Sequence, residues 1–256
     1  MTEPPPNRWG PLWPLGEALR FLTLIPTPGM PPISAEAIPR AIPFFPLAGL
    51  VLGALLVATD AALGVFWGPL VQSIGVVVVW GILTGGLHLD GLSDTFDGVM
   101  SWRSRERKLE IMQDSRIGAM GALALIAVLA LKVAFLLEIT QGRWQALLLV
   151  PMLGRWADVF GIVRFPPARE GGLGRSFQEQ LRPHDFAFAT GTALLAALLL
   201  GGSSGLAALV AVALVALLVG RWWTRDLGGL TGDTYGALCE IGEVVALAAL
   251  SAAMWN

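Results

Sequence analysis

Seven apolar runs of about 20 residues follow one another along this chain, and that spacing restricts its fold more than any other feature. They lie near 43–62, 69–87, 118–137, 144–163, 186–202, 204–222 and 236–255. A helix of this length, rising about 1.5 Å per residue, spans the roughly 30 Å hydrocarbon layer of a bilayer. Inside that layer each backbone N–H and C=O must find its partner within the segment. The expected fold is therefore all-α, a polytopic integral membrane helical bundle of about seven transmembrane helices. Composition agrees: 55% of residues are hydrophobic and 14% charged, with mean hydropathy +0.67, whereas soluble domains carry about 25% charge. The single cysteine, Cys239, excludes an internal disulfide. The first forty residues are rich in proline and lack a basic start followed by an apolar core, so no secretory signal is expected.

Lys and Arg set the expected orientation. With the N-terminus cytoplasmic, the inside segments hold Arg8, Arg20, Arg40, Arg103, Arg105, Arg107, Lys108, Arg116, Arg164, Arg169, Arg175, Arg182, Arg221 and Arg225. These are 14 of the 17 basic residues. Only Arg143 falls outside, and Lys132 and Arg155 lie within spans. Lys132, toward the outer end of its span, is expected to snorkel. The chain reads as one domain, 1–256, with 1–42 as an N-terminal interfacial segment. Within that segment Trp13 to Leu24 has the pattern of a short amphipathic helix, and the four prolines of Ile25 to Pro32 call for an extended turn. Trp80, Trp102, Trp156, Trp222 and Trp223 are expected in an interfacial belt.

One polar stretch stands apart. Residues 85–98 read Gly-Gly-Leu-His-Leu-Asp-Gly-Leu-Ser-Asp-Thr-Phe-Asp-Gly, at the end of the second run. On a helix Asp90, Asp94 and Asp97 fall within an arc of roughly 60°. Carboxylates crowded in this way repel unless a cation lies between them, and hard oxygen ligands favour Mg²⁺, with Mn²⁺ as the alternative. A second stretch, 108–121, carries Glu110 and Asp114 four residues apart, then Arg116, Gly118 and Gly121. Glu110 and Asp114 would share a helix face and complete a metal site opposite the Asp cluster. Arg116 is a candidate phosphate ligand. His88 is a candidate proton acceptor, and equally a group that positions an aspartate or caps the helix. Solvation at the end of a span is the plain alternative for Glu110 and Asp114. The bases at 103–108 are read as topology determinants and contacts for anionic lipid.

Three further features are polar within apolar surroundings. Arg155 and Asp158 lie three apart in the fourth run, either as a salt bridge within the span or as substrate-binding groups. Asp233 heads the last run after Gly228-Gly-Leu-Thr-Gly, and Glu240 and Glu243 within that run need partners. The loop 169–176 is basic and glycine-rich, either a plain connection or a lid.

The stretches 85–98 and 110–121 resemble the two signature stretches of the cobalamin synthase (adenosylcobinamide-GDP ribazoletransferase) family. Ala-Leu-Arg-Phe-Leu-Thr (18–23), Phe-Phe-Pro-Leu-Ala-Gly (44–49), Gly-Arg-Trp-Ala (154–157) and Gly-Gly-Leu-Thr-Gly-Asp (228–233) extend the resemblance along nearly the whole chain. The resemblance implies transfer between adenosylcobinamide-GDP and α-ribazole or its 5′-phosphate. GMP is released and adenosylcobalamin or its 5′-phosphate forms, with Mg²⁺, at the cytoplasmic face of the bacterial inner membrane. Against it stand a CDP-alcohol lipid phosphotransferase, whose usual pattern places Ala-Arg soon after Asp-Gly, and a cation transporter, which would distribute acids through the midplane of several spans. Membrane lipid is an expected partner and nucleic acid is not. Oligomeric state and association with other cobalamin-assembly enzymes are left open.

Overall fold

The structure is a computed structural model and describes residues 9–30, 38–169 and 173–252. Residues 1–8 and 31–37 of the expected interfacial segment lie outside the described residues. So do 170–172 of the basic loop and 253–255 of the last run. The described chain is helical, and an isolated bridge between Pro167 and Leu230 is its one β contact. The helices are α1 (Trp13–Leu22), α2 (Ile38–Ala41), α3 (Phe45–Gly64), α4 (Pro69–Leu83), α5 (Leu87–Val99), α6 (Arg105–Ile111), α7 (Ala119–Glu138), α8 (Arg143–Arg164), α9 (Leu173–Gln180), α10 (Pro183–Leu227) and α11 (Gly232–Ala252).

The segment Ile38–Gly64 and helices α7, α8, α10 and α11 are long and apolar enough to cross a bilayer. α4 and α5 meet that test only as a pair, bent by 89°. The expected second span therefore ends early, at Leu83. Gly85 and Gly86, both in the left-handed region at φ 59° and 70°, make the corner. α5 leaves the axis of α4 nearly at a right angle. The 45 residues of α10 would measure about 67 Å if straight, twice a bilayer core. They are not straight. Gly202, at φ 55° and ψ −134°, turns the chain, and a Cβ on Gly205 would run into the Ala197 carbonyl. Gly202 thus divides α10 into arms 183–201 and 203–227.

Without a hydrophobic drive between helices in lipid, close backbone approach carries much of the packing. Gly49 and Gly53 let α3 lie against the backbone of α8 around Pro151 and Leu147. α8 has fifteen buried positions and is the central helix, packed on α3, α10 and α11. α1 is helical as expected, and it buries Gly16, Glu17, Ala18, Leu19 and Leu22 against its neighbours. Three of the tryptophans expected at an interface are buried instead: Trp80, Trp156 and Trp223.

Charge is buried at the centre. Lys132 of α7 does not snorkel: it is 3% exposed and donates to Glu240, at 2.6 Å, and to Glu243, both on α11. Its ammonium also sits 4.4 Å from the centre of the Trp80 ring. Arg155 of α8 donates to Glu243 from the other side. The partners demanded by Glu240 and Glu243 are these two cations, so Arg155 is tied between helices and not to Asp158 along its own span. Removing one member leaves a buried charge uncompensated, at about 3–5 kcal/mol. Lys132→Met is therefore expected to lower the unfolding temperature of the detergent-solubilised protein strongly. Adding Glu240→Gln to it should restore part of the loss.

Candidate active site

The acidic face is built by two helices that meet at glycines. A Cβ on Gly91 of α5 would lie 2.7 Å from the Asp233 carbonyl of α11, and one on Gly236 would lie 3.2 Å from His88 Cα. Only glycine allows this approach. It brings Asp233 to the Asp90–Asp94–Asp97 face, which the helical spacing of α5 aligns as expected. Asp90 is exposed and Asp94 half-buried, and neither makes a hydrogen bond or ion pair among the described residues. Burial and the charges of Asp90, Asp233 and Asp97 push the Asp94 carboxyl up to about 6. Carboxylates that converge without a counter-charge form a donor set fitted to a hard divalent cation.

Asp97 has a second task. Its two oxygens accept the backbone N–H groups of Gly118 and Gly121, at 2.7 and 2.8 Å. They cap the start of α7 through a charge-assisted pair of bonds. The glycines singled out in the second stretch are where a Cβ would collide with Asp97.

The second stretch is not one continuous helix face. α6 ends at Ile111, so Asp114 lies beyond it and shares no helix face with Glu110. Glu110 pairs with Arg107 at 2.7 Å on the surface. Arg116 forks onto Asp114, two residues away, and holds its carboxyl down at about 2. The expected roles of Glu110 and Asp114 as metal ligands and of Arg116 as a phosphate ligand thus meet local pairs that the sequence spacing did not reveal. Two of the bases at 103–108 are also structural. Arg105 donates to the carbonyls of Leu227 and Ala168, at 2.6 and 3.0 Å, and Lys108 pairs with Asp226 at 2.6 Å. Together they fasten α6 to the end of α10.

His88 is 3% exposed. Its Nδ1 faces the Arg155 guanidinium at 3.3 Å and its Nε2 faces Asp158 at 3.5 Å. Both ring nitrogens therefore point at protein groups, which favours positioning over proton abstraction. His88, Asp158 and Cys239 bring ligand atoms within 4.8 Å of one another, but the Arg155 cation already stands beside them.

Three cavities meet this region. One of about 190 Å³ is lined by Asp90, His88, Asp158 and Asp233 and by the rings of Phe21, Phe45, Phe177 and Tyr235. The second, about 650 Å³, opens beside Asp90, Ser93 and Arg20, and shares Leu24, Gly85, Leu89 and Leu129 with an apolar groove of about 840 Å³ between α4 and α7. The aromatic lining was not readable from the sequence, because its four rings come from α1, α3, α9 and α11 with no common spacing.

Fold and site together define an all-α polytopic membrane protein with a carboxylate-rich face. A model of the cobalamin-5-phosphate synthase family matches residues 14–251, and the chain belongs to that family. It is 66% identical over 247 residues to the adenosylcobinamide-GDP ribazoletransferase of Roseiflexus sp. (strain RS-1), covering 96% of this chain and 92% of that protein. The protein of that name from Herpetosiphon aurantiacus is 53% identical, covering 93% and 96%. That from Escherichia coli O17:K52:H18 is 40% identical, covering 91% and 96%. No solved structure matches.

The two functions of the Asp face can be separated by stability. In the absence of divalent cations, Asp97→Ala is expected to lower unfolding stability by on the order of 1–2 kcal/mol, the worth of a lost helix cap. Asp90→Asn, which breaks no bond and removes one of the repelling charges, should leave the metal-free unfolding temperature unchanged or slightly raised.

Proposed function

We propose that this chain is an adenosylcobinamide-GDP ribazoletransferase that acts in assembly of the cobalamin nucleotide loop. It joins adenosylcobinamide-GDP to α-ribazole or its 5′-phosphate. A sugar hydroxyl oxygen of the acceptor bonds to the corrinoid-side phosphorus. The bond from that phosphorus to the bridging oxygen breaks, and GMP leaves with the electron pair. The products are adenosylcobalamin or its 5′-phosphate and GMP. The observation that carries the reading is the convergence of Asp90, Asp94 and Asp233 beside a large open cavity, in a chain so similar to proteins of this name over nearly its full length. Acids gathered at one end of the bundle, with the buried pair Glu240 and Glu243 neutralised by Lys132 and Arg155, do not form the relay a cation transporter would need. The CDP-alcohol pattern is likewise not favoured.

Each part of the site has a task within this reading. Asp90, Asp94 and Asp233, with the remaining lone pairs of Asp97, would hold Mg²⁺ or Mn²⁺. A divalent cation bound there supplies charge neutralisation for the bridging phosphates. With both nitrogens of His88 engaged, an aspartate of the face accepts the hydroxyl proton, and His88 keeps Asp158 and Arg155 in register. The open cavity and its apolar groove give the bulky corrinoid end of the donor room at the membrane boundary. The distribution of Lys and Arg supports a cytoplasmic N-terminus, seven passes and a cytoplasmic reaction face in the bacterial inner membrane.

The test is turnover by purified protein in nanodiscs given adenosylcobinamide-GDP, α-ribazole 5′-phosphate and Mg²⁺. GMP and cobalamin product should appear, vanish with EDTA, and fall at least about a thousandfold in Asp94→Asn. Mg²⁺ should also raise the unfolding temperature of the wild-type protein and do so less in Asp94→Asn. Near-normal turnover by that variant would remove Asp94 from the site.

A further inference from the structure

We propose that the 190 Å³ cavity between α5, α8 and α11 holds the guanine of the nucleotide donor, whose N–H edge is read by the Asp158 carboxylate. The inference rests on the donor named above and assigns a part of it that the reaction itself leaves unplaced.

Two buried side chains in this cavity keep hydrogen-bonding capacity in reserve. Asp158 is 3% exposed and lies in the field of Arg155 and His88, yet its oxygens make no hydrogen bond of full geometry. The nearby Nε2 of His88 stands at 3.5 Å from Oδ2 without hydrogen-bond geometry. Tyr235 is 4% exposed, and its hydroxyl is also unpartnered. Buried polar groups are nearly always hydrogen-bonded, so a carboxylate held by charge alone and a hydroxyl with no partner both have bonds to offer a ligand. Both line the same cavity, and the Tyr235 ring rests by Gly161, one turn along α8 from Asp158.

The chemistry of these groups specifies the ligand. A carboxylate with two free oxygens matches an edge carrying two adjacent N–H donors. Guanine presents such an edge, from its ring N1 and its exocyclic amine. Adenine has an acceptor at N1. The acceptor substrate is a benzimidazole riboside with no N–H on its base. The carbonyl of guanine needs a donor in turn, which the Tyr235 hydroxyl supplies. Phe21 stacks on Phe45, with ring centres 5.9 Å apart, and Phe177 meets Phe21 edge-on at 6.1 Å, so the cavity has aromatic faces for a flat ring. Its volume is below the roughly 300–1,000 Å³ of sites that enclose a whole ligand, which suits a base and excludes the corrin ring. Asp90 and Asp233 line the same cavity, so the phosphates of a guanine held there emerge onto the acidic face.

The experiment uses wild-type protein, Asp158→Asn and Tyr235→Phe in nanodiscs, with GMP, IMP and AMP as ligands in calorimetric titration in Mg²⁺. IMP keeps the ring N–H and carbonyl of guanine but lacks the amine. Wild-type protein should bind GMP about tenfold or more tightly than IMP, and AMP more weakly still. Asp158→Asn should collapse the GMP-to-IMP ratio while the KM for α-ribazole 5′-phosphate stays within about twofold. Tyr235→Phe should weaken GMP and IMP severalfold together and leave their ratio intact. Equal binding of GMP and IMP by wild-type protein overturns the proposal, and so does an Asp158→Asn variant that keeps the preference or loses acceptor affinity instead. Should Asp158→Asn fail to fold, the wild-type ratio and Tyr235→Phe still decide. Cobalamin product without GMP selectivity would sink this inference alone. GMP selectivity without product would sink the transferase reading and leave a guanine site standing.

Discussion

The bundle depends on ion pairs that have no water to fall back on. Lys132, Glu240, Glu243 and Arg155 are each buried, and they join α7, α8 and α11 at one point. In an apolar interior the alternative to pairing is an isolated charge, so the four side chains specify which helices adjoin and at what register. His88 is the next link, through Arg155, and it attaches the crosswise helix α5 to the same core. The carboxylate face is therefore joined through His88 to a buried charge network.

Glycine supplies the second constraint. α3 and α8 meet at Gly49 and Gly53, α5 and α11 at Gly91 and Gly236, and the turn between the arms of α10 is made by Gly202. The contact between α5 and α11 is the one with chemical consequence, because it delivers Asp233 to a face that α5 alone would leave with three acids. Burial first, and then the charges of Asp90, Asp233 and Asp97, raise Asp94, and a cation bound there would relieve the repulsive part. Asp97 shows how one acid serves stability and charge together, since its oxygens hold the start of α7 while its field acts on Asp94.

The carboxylate face and the aromatic cavity adjoin at Asp90 and have two kinds of surface. The open side carries carboxylates and faces large cavities. The closed side carries rings, a buried carboxylate and an unpartnered hydroxyl. A nucleotide-linked donor has the same division, with phosphates at one end of its ribose and a flat base at the other.

Much of this was determined by the sequence alone. Period and length marked the apolar runs, the arc of Asp90, Asp94 and Asp97 follows from helical geometry, and the motif stretches were enough to place the chain in its family. These are local properties, readable because a helix maps spacing onto direction. What only the tertiary structure decided is which polar groups meet across helices. Lys132 was expected at the lipid boundary and lies between two glutamates. Arg155 makes its ion pair with Glu243 on another helix instead of with Asp158 along its own span. Glu110, Asp114 and Arg116 took local partners, and Tyr235 and three phenylalanines gathered from four elements. A buried charge takes the partner that packing brings within reach, and reach between helices is not encoded in the spacing along any one of them.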